Sequence, residues 1–371
     1  MVVNFNLGKI RSITVAAVFT VVIGGIFILG RFLEPPEILR SERRLPVKLP
    51  PISAVTLASG EFMDKFNNYA ADSFPFRDNF RTISAFLNFY VFWQADKQGL
   101  YMDAYGVGEF QRVDADSAGE LTRKIKTVAE SLGGVNLYCA YIPDKSIYSN
   151  KKLPGFDNAL TGQLIYENLG KVGFSIIDMT DTLSGDSYYK TDLHWNQLML
   201  ESVADRLAAS MGGTISLDQY TEEYAGEFEG VYSGQLALPT ETDTLGYLSC
   251  PTLSAMYLNE RTMELEPGPV YDRDKFYGLD PYDIFLSGAQ PLVILENEAA
   301  TSDKELYLFR DSFSSSLAPL LASCYSKVFL IDLRYIDMPR LSRIVEFKAG
   351  SDALFLYSTL VINNSNVLLV R

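Results

Sequence analysis

Histidine is the side chain whose ordinary pKa lies nearest neutrality, and this chain has one, His194. Any general acid–base step carried by imidazole therefore runs through it. It lies in Lys190-Thr191-Asp192-Leu193-His194-Trp195-Asn196, two residues after a carboxylate. On an extended or loop segment, positions i and i+2 project to the same side. Asp192 can then hold the Nδ1–H and leave Nε2 free to take a proton from a hydroxyl. The matching nucleophile is Ser312. The apolar run Leu306 to Phe309 closes on Arg310-Asp311-Ser312-Phe313 and leads into a helical segment, and open α/β sheets present reactive groups at the carboxyl ends of their strands. Alone, a serine after aspartate at a strand end reads as a helix cap. Together, Asp192, His194 and Ser312 match the Asp-His-Ser division of roles in acyl transfer.

The elements that must position these residues alternate in kind. Short apolar runs at Val135 to Ile142, Phe174 to Ile177, Leu292 to Leu295, Leu306 to Phe309, Val328 to Ile331 and Leu354 to Tyr357 read as strands. Helical periods separate them, so the expected fold is α/β with a mostly parallel sheet flanked by helices. After the His194 motif, Leu200, Val203, Ala204, Leu207, Ala208 and Met211 form one apolar helix face, stopped by Gly212-Gly213. Residues from about 214 to 290 are dense in Gly, Tyr, Pro and acidic residues, and read as an elaboration on the sheet, placed as a rim over the site.

Ahead of this domain, 1–12 reads as a short tail. Ile13 to Gly30 carries no charge, and with Phe32 and Leu33 it is long enough to span a bilayer core of about 30 Å, so 13–33 reads as an uncleaved signal anchor. A Pro-rich, charged spacer follows over 34–58, and the folded domain is expected over 59–371. Orientation is contested within the sequence. Lys9 and Arg11 precede the span, but Arg31, Arg40, Arg43, Arg44 and Lys48 follow it, and a count of Lys and Arg alone would place the domain inside.

At 371 residues and 47% hydrophobic content the chain can bury a substantial core. A net charge of -14 argues against nucleic acid as a partner, since phosphate must be met by Lys and Arg. Cys139, Cys250 and Cys324 lie far apart with no second histidine, so no metal site and no cofactor is expected, and Cys139 and Cys324 read as core hydrophobes.

Tyr189-Lys190-Thr191-Asp192-Leu193-His194-Trp195-Asn196, followed by a strand ending in Asp311-Ser312-Phe313, resembles the DHHW proteins and the related alginate O-acetylation proteins, which carry D-x-H-W and DS(F/Y) in this order. Asp72-Ser73-Phe74-Pro75-Phe76-Arg77-Asp78, Tyr141-Ile142-Pro143-Asp144-Lys145, Phe285-Leu286-Ser287-Gly288-Ala289-Gln290-Pro291 and Ile331-Asp332-Leu333-Arg334-Tyr335 agree, so the likeness runs over about residues 60 to 340. Leu193 stands where the DHHW pattern has its first His, and Arg310-Asp311 replaces the Gly-Asp of SGNH hydrolases, to which such proteins are similar.

The resemblance implies an SGNH-hydrolase-like domain, extracytoplasmic and held at the cell membrane by a single span. Its implied activity is O-acetyl transfer on a cell-surface or exported polysaccharide, beside a multi-pass membrane acyltransferase that delivers the acetyl group. The alternatives are a carbohydrate acetylesterase and a non-catalytic surface scaffold that keeps the fold. The Ser312 N–H is the expected oxyanion donor with Gly288 as a second, although Ala289 follows Gly288 where an oxyanion Asn would be sought. Arg334 reads either as a ligand for substrate oxygen or as a salt-bridge partner of Asp332 or Asp337. Trp195 reads either as a sugar-stacking face or as core.

Overall fold

Strand formation in this chain follows from runs of Leu, Ile, Val, Phe and Tyr that bury both faces, and helix formation from apolar stripes at three- and four-residue spacing. The computed structural model describes residues 7–32, 37–151 and 158–370. They fall into two units, residues 1–87 and 88–371.

In the first unit the helix Leu7–Phe32 exposes Ile13, Val15, Phe19 and Val21. Among the described residues no helix is long and apolar enough to cross a membrane, and the expected span 13–33 ends on Leu33, outside the described residues. Helices Ala54–Ala58, Glu61–Asp72 and Arg77–Phe86 follow. The buried Asp72 carboxylate takes the Arg44 guanidinium through two bonds of 2.7 and 2.6 Å and the Val47 N–H at 2.8 Å. Part of the stretch read as a spacer is thus tied down by a charge-assisted pair.

The second unit contains all the strands among the described residues: β1 (Leu100–Asp103), β2 (Gly106–Glu109), β3 (Asn136–Ile142), β4 (Ser175–Ile177), β5 (Thr221–Phe228) and β6 (Asp243–Ser249). They continue with β7 (Leu253–Asn259), β8 (Glu264–Gly268), β9 (Leu292–Asn297), β10 (Glu305–Arg310), β11 (Lys327–Ile331) and β12 (Asp352–Ser358). Eight of them build one sheet in the order β4-β3-β12-β10-β11-β9-β7-β8. From β4 to β11 the neighbours are parallel, while β9, β7 and β8 add antiparallel pairs.

The sheet is therefore mixed, which corrects the mostly parallel expectation at Leu292 to Leu295. An apolar run does not state strand direction. The short link over 298–304 lets the chain turn back, whereas a parallel crossover needs a dozen or more residues. The 214–290 elaboration likewise divides: β5 and β6 pair with each other, and β7 and β8 prolong the main sheet.

The central strand β10 is buried on both faces. Leu306 and Leu308 pack with Val203, Leu207, Leu317 and Leu321, from helices Glu201–Ser210 and Ser314–Leu321. Tyr307 and Phe309 pack with Leu121, Ile125 and Val128 of helix Ala115–Ala129 on the other side. Each such buried side chain contributes about 1.5–3 kcal/mol. This two-faced burial makes the end of β10 a rigid place from which to project Ser312.

Candidate active site

Ser312 lies two residues beyond β10, before helix Ser314–Leu321. The turn is set by Asp311, whose Oδ1 accepts the Phe313 N–H at 3.1 Å, an Asx turn, and whose Oδ2 accepts the Ser358 N–H at the end of β12 at 2.7 Å. The Ser312 N–H makes no hydrogen bond among the described residues and stands at the positive end of the helix, where an oxyanion is favoured.

Asp192 and His194 sit at the tip of a tight loop closed by a bridge between Tyr188 and Trp195, with Tyr189 N–H donating to the His194 carbonyl at 3.1 Å. The loop is a second Asx turn: Asp192 Oδ1 accepts the His194 N–H at 3.0 Å and lies 2.8 Å from His194 Nδ1. Its Oδ2 accepts the Val231 N–H at 3.0 Å. His194 Nε2 is 2.9 Å from Ser312 Oγ. With Nδ1 as the donor to Asp192, Nε2 is the acceptor facing the serine hydroxyl.

The imidazole is held flat by Tyr282, stacked at 3.8 Å between ring centroids and 5° between planes, and Phe313 lies at 4.9 Å. Tyr282 Oη donates to Ser316 Oγ at 2.7 Å, and burial raises its pKa well above the ordinary phenol value, so it stays neutral beside the histidine. Neither Tyr282 nor Val231 is identifiable from sequence. Both come from the elaboration, and no spacing rule ties them to a motif more than thirty residues away.

The remaining expected site residues are placed otherwise. Trp195 is fully buried, and its Nε1–H is shared between the Phe313 carbonyl at 2.9 Å and Ser316 Oγ at 3.0 Å. It is a core brace between the His194 loop and the Ser312 helix, not a face for sugar stacking. Gly288, at φ +81°, donates its N–H to the Phe285 carbonyl at 3.2 Å, so the expected second oxyanion donor is already engaged. Three consecutive residues, Leu286, Ser287 and Gly288, adopt positive φ there, which turns the segment back on itself. Arg334 takes the salt-bridge alternative, gripping the buried Asp332 carboxylate through Nε at 2.9 Å and Nη2 at 2.6 Å. Arg310, which replaces the glycine of the SGNH pattern, is buried, and its Nη1 donates to the Asp311 carbonyl at 3.3 Å and Ser315 Oγ at 3.2 Å.

A serine at the end of a central parallel strand, facing a carboxylate-held histidine, defines an SGNH hydrolase-like α/β domain. Residues 105–260 match the family model described as SGNH hydrolase-like domain, acetyltransferase AlgX. The chain carries an SGNH-like domain of the O-acyltransferase and esterase type, and over that stretch it is similar to the alginate-acetylation proteins. Among solved structures it is similar to a DHHW family protein from Eubacterium siraeum, with 17% identity and a TM-score of 0.60 over 73% of this chain and 94% of that one. It is also similar to Bacillus cereus PatB1 with a sulfonyl adduct, with 17% identity and a TM-score of 0.55 over 71% of this chain and 95% of that one. At that identity these two show the fold. No curated protein matches by sequence.

Proposed function

We propose that this protein is an O-acetyltransferase acting on a cell-surface or exported polysaccharide through Ser312, His194 and Asp192. The observation that carries this reading is the line of contacts from Asp192 through His194 to Ser312, at 2.8 and 2.9 Å. In the first half-reaction Ser312 Oγ attacks the acetyl carbonyl and its proton passes to His194 Nε2. Asp192 stabilises the resulting imidazolium through Nδ1. The oxyanion faces the Ser312 N–H. Collapse breaks the bond to the donor's leaving group, which takes the proton from Nε2 and leaves acetyl-Ser312. In the second half-reaction a sugar hydroxyl gives its proton to Nε2 and attacks the ester, which restores Ser312 and releases the acetylated sugar. Water in place of the sugar makes the same site an acetylesterase.

The proposal includes attachment to the cell membrane through residues 13–33, with the domain outside and a multi-pass membrane acyltransferase as donor. Its support is the uncharged run Ile13 to Gly30 and the exposed apolar side chains of helix Leu7–Phe32. Protease added to intact spheroplasts is expected to digest the domain, and full protection would reverse the orientation.

The decisive chemical experiment offers a chromogenic acetyl ester and a panel of oligosaccharides to the protein and to Ser312→Ala. A sulfonyl fluoride should label Ser312 and stop turnover. Acetyl found on sugar supports the transferase, and free acetate alone across the panel supports the esterase. Turnover that survives Ser312→Ala defeats both. If labelling and turnover are both absent with a candidate membrane partner present, the scaffold alternative stands.

A further inference from the structure

The motif Tyr141-Ile142-Pro143-Asp144-Lys145 ends in a lysine that the chemistry above does not use, yet Lys145 is 2% exposed. Its ammonium group uses all three protons on main-chain carbonyls: Val107 at 2.8 Å, Tyr189 at 2.8 Å and Lys190 at 3.1 Å. Two of these belong to the segment that leads into Asp192. The other edge of the same peptides is held by an opposite charge. Asp243, 8% exposed, accepts the Lys190 N–H through Oδ1 at 2.7 Å, and through Oδ2 the Thr191 N–H at 2.7 Å and the Thr191 hydroxyl at 2.5 Å.

Thr191 Oγ1 then accepts the Gly230 N–H at 2.7 Å, one residue before the Val231 N–H that holds Asp192. The segment has no slack. A Cβ on Gly106 would lie 2.2 Å from the Lys190 carbonyl oxygen, and one on Gly230 would lie 2.2 Å from the Thr191 main chain. A buried ammonium group is costly unless fully hydrogen-bonded, so losing its proton or its partners changes what holds this loop.

We propose that Lys145 and Asp243 are positioning residues for the reaction proposed above: opposite charges grip opposite edges of the Tyr189–Thr191 peptides, and Asp192 and His194 stay in line with Ser312 only while Lys145 keeps its proton. The proposal rests on that reading for its link to turnover, and on the contacts alone for its effect on His194.

Burial lowers the Lys145 pKa from the ordinary lysine value to about 8, against the opposing pull of Asp243, Asp103, Asp144 and Asp192. Above that pH a neutral amine has two protons for three carbonyls, and the charge that balances Asp243 across the loop is gone. Removing the Asp243 charge takes away the strongest of the opposing carboxylates, so the same change should then occur at lower pH.

Because the chain has a single histidine, nitrogen-15 histidine labelling of the full chain reports one imidazole. In the wild type the proton between His194 Nδ1 and Asp192 should give a downfield resonance that fades as pH rises through about 8, while circular dichroism stays unchanged. Asp243→Asn should move the midpoint down. Lys145→Met should lack the resonance throughout and lower kcat roughly tenfold or more, with KM for a small ester little changed, and Lys145→Arg should restore part of both.

A wild-type resonance that persists unchanged through pH 9.5, about a unit and a half above that value, overturns the proposal, even if no variant folds. A midpoint unmoved by Asp243→Asn also overturns it. If the resonance responds as expected but Ser312 resists sulfonylation and no acetyl moves, the clamp stands and the proposed function falls. If acetyl is transferred while the resonance ignores pH and substitution, the function stands and the clamp falls.

Discussion

The two halves of the site are built with the same local device and supported in different ways. Asp311 and Asp192 each turn the chain by accepting the N–H two residues on, at 3.1 and 3.0 Å. The second oxygen of Asp311 is taken by Ser358 at the end of β12, an immediate neighbour of β10 in the sheet. The second oxygen of Asp192 is taken by Val231, and the loop that bears it is gripped by Lys145, Asp243 and the Tyr282 ring. Ser312 therefore inherits its position from the sheet. His194 depends on three side chains and one main-chain N–H brought from four separate stretches of sequence. Damage to the first support should appear as lost stability, and damage to the second as lost turnover in a folded protein.

Substitutions at three positions test this contrast, from the largest effect on turnover downward. Asp192→Asn should lower kcat by about 10³–10⁴-fold through the wrong tautomer, with little change in the denaturation midpoint. A comparable loss of stability would show that Asp192 serves the fold as much as the site. Asp311→Asn should behave the other way. It leaves the Ser358 N–H without its carboxylate partner in a fully buried place, and should cost about 1–3 kcal/mol in urea unfolding, with a smaller loss of kcat. Full stability with abolished turnover would mean that the Ser312 turn is held by something other than the sheet. Tyr282→Ala should have the mildest effect on turnover: it removes a ring stack worth about 0.5–1.5 kcal/mol beyond the burial of the ring and lowers kcat up to about tenfold. Tyr282→Phe, which keeps the stack and loses the hydroxyl's bonds to Ser316 Oγ and the Phe313 carbonyl, should stay close to wild type. If Phe proves as harmful as Ala, the hydroxyl rather than the stacked ring positions the histidine.

Much of this arrangement was legible in the residues, because it rests on short-range rules. An apolar run with no polar interruption at Leu306 to Phe309 has to be a buried strand, and Asp-Ser-Phe after it has to turn. A carboxylate two residues before the sole histidine points to the same side of the chain. The helix face of Val203, Ala204, Leu207 and Ala208 was likewise dictated by spacing, and all four are fully buried. Trp195, Gly288 and Arg334 were harder, because each has two physically sound uses. Only the neighbours decide which use is taken: the Phe313 carbonyl for the indole, Phe285 for the glycine N–H, and Asp332 for the guanidinium.

By itself the amino-acid order determined which residue types could carry acyl chemistry and which elements would present them, since periodicity, turn chemistry and the pKa of imidazole are local properties. Tertiary structure decided strand direction at β9, the stacking of Tyr282 on His194, and the charges that hold the histidine loop. These are pairings across long separations in the chain, between Lys145 and Tyr189, Thr191 and Asp243, and His194 and Ser312. Such pairs are selected by burial and by the need to satisfy every buried polar group, and no spacing along the chain encodes them.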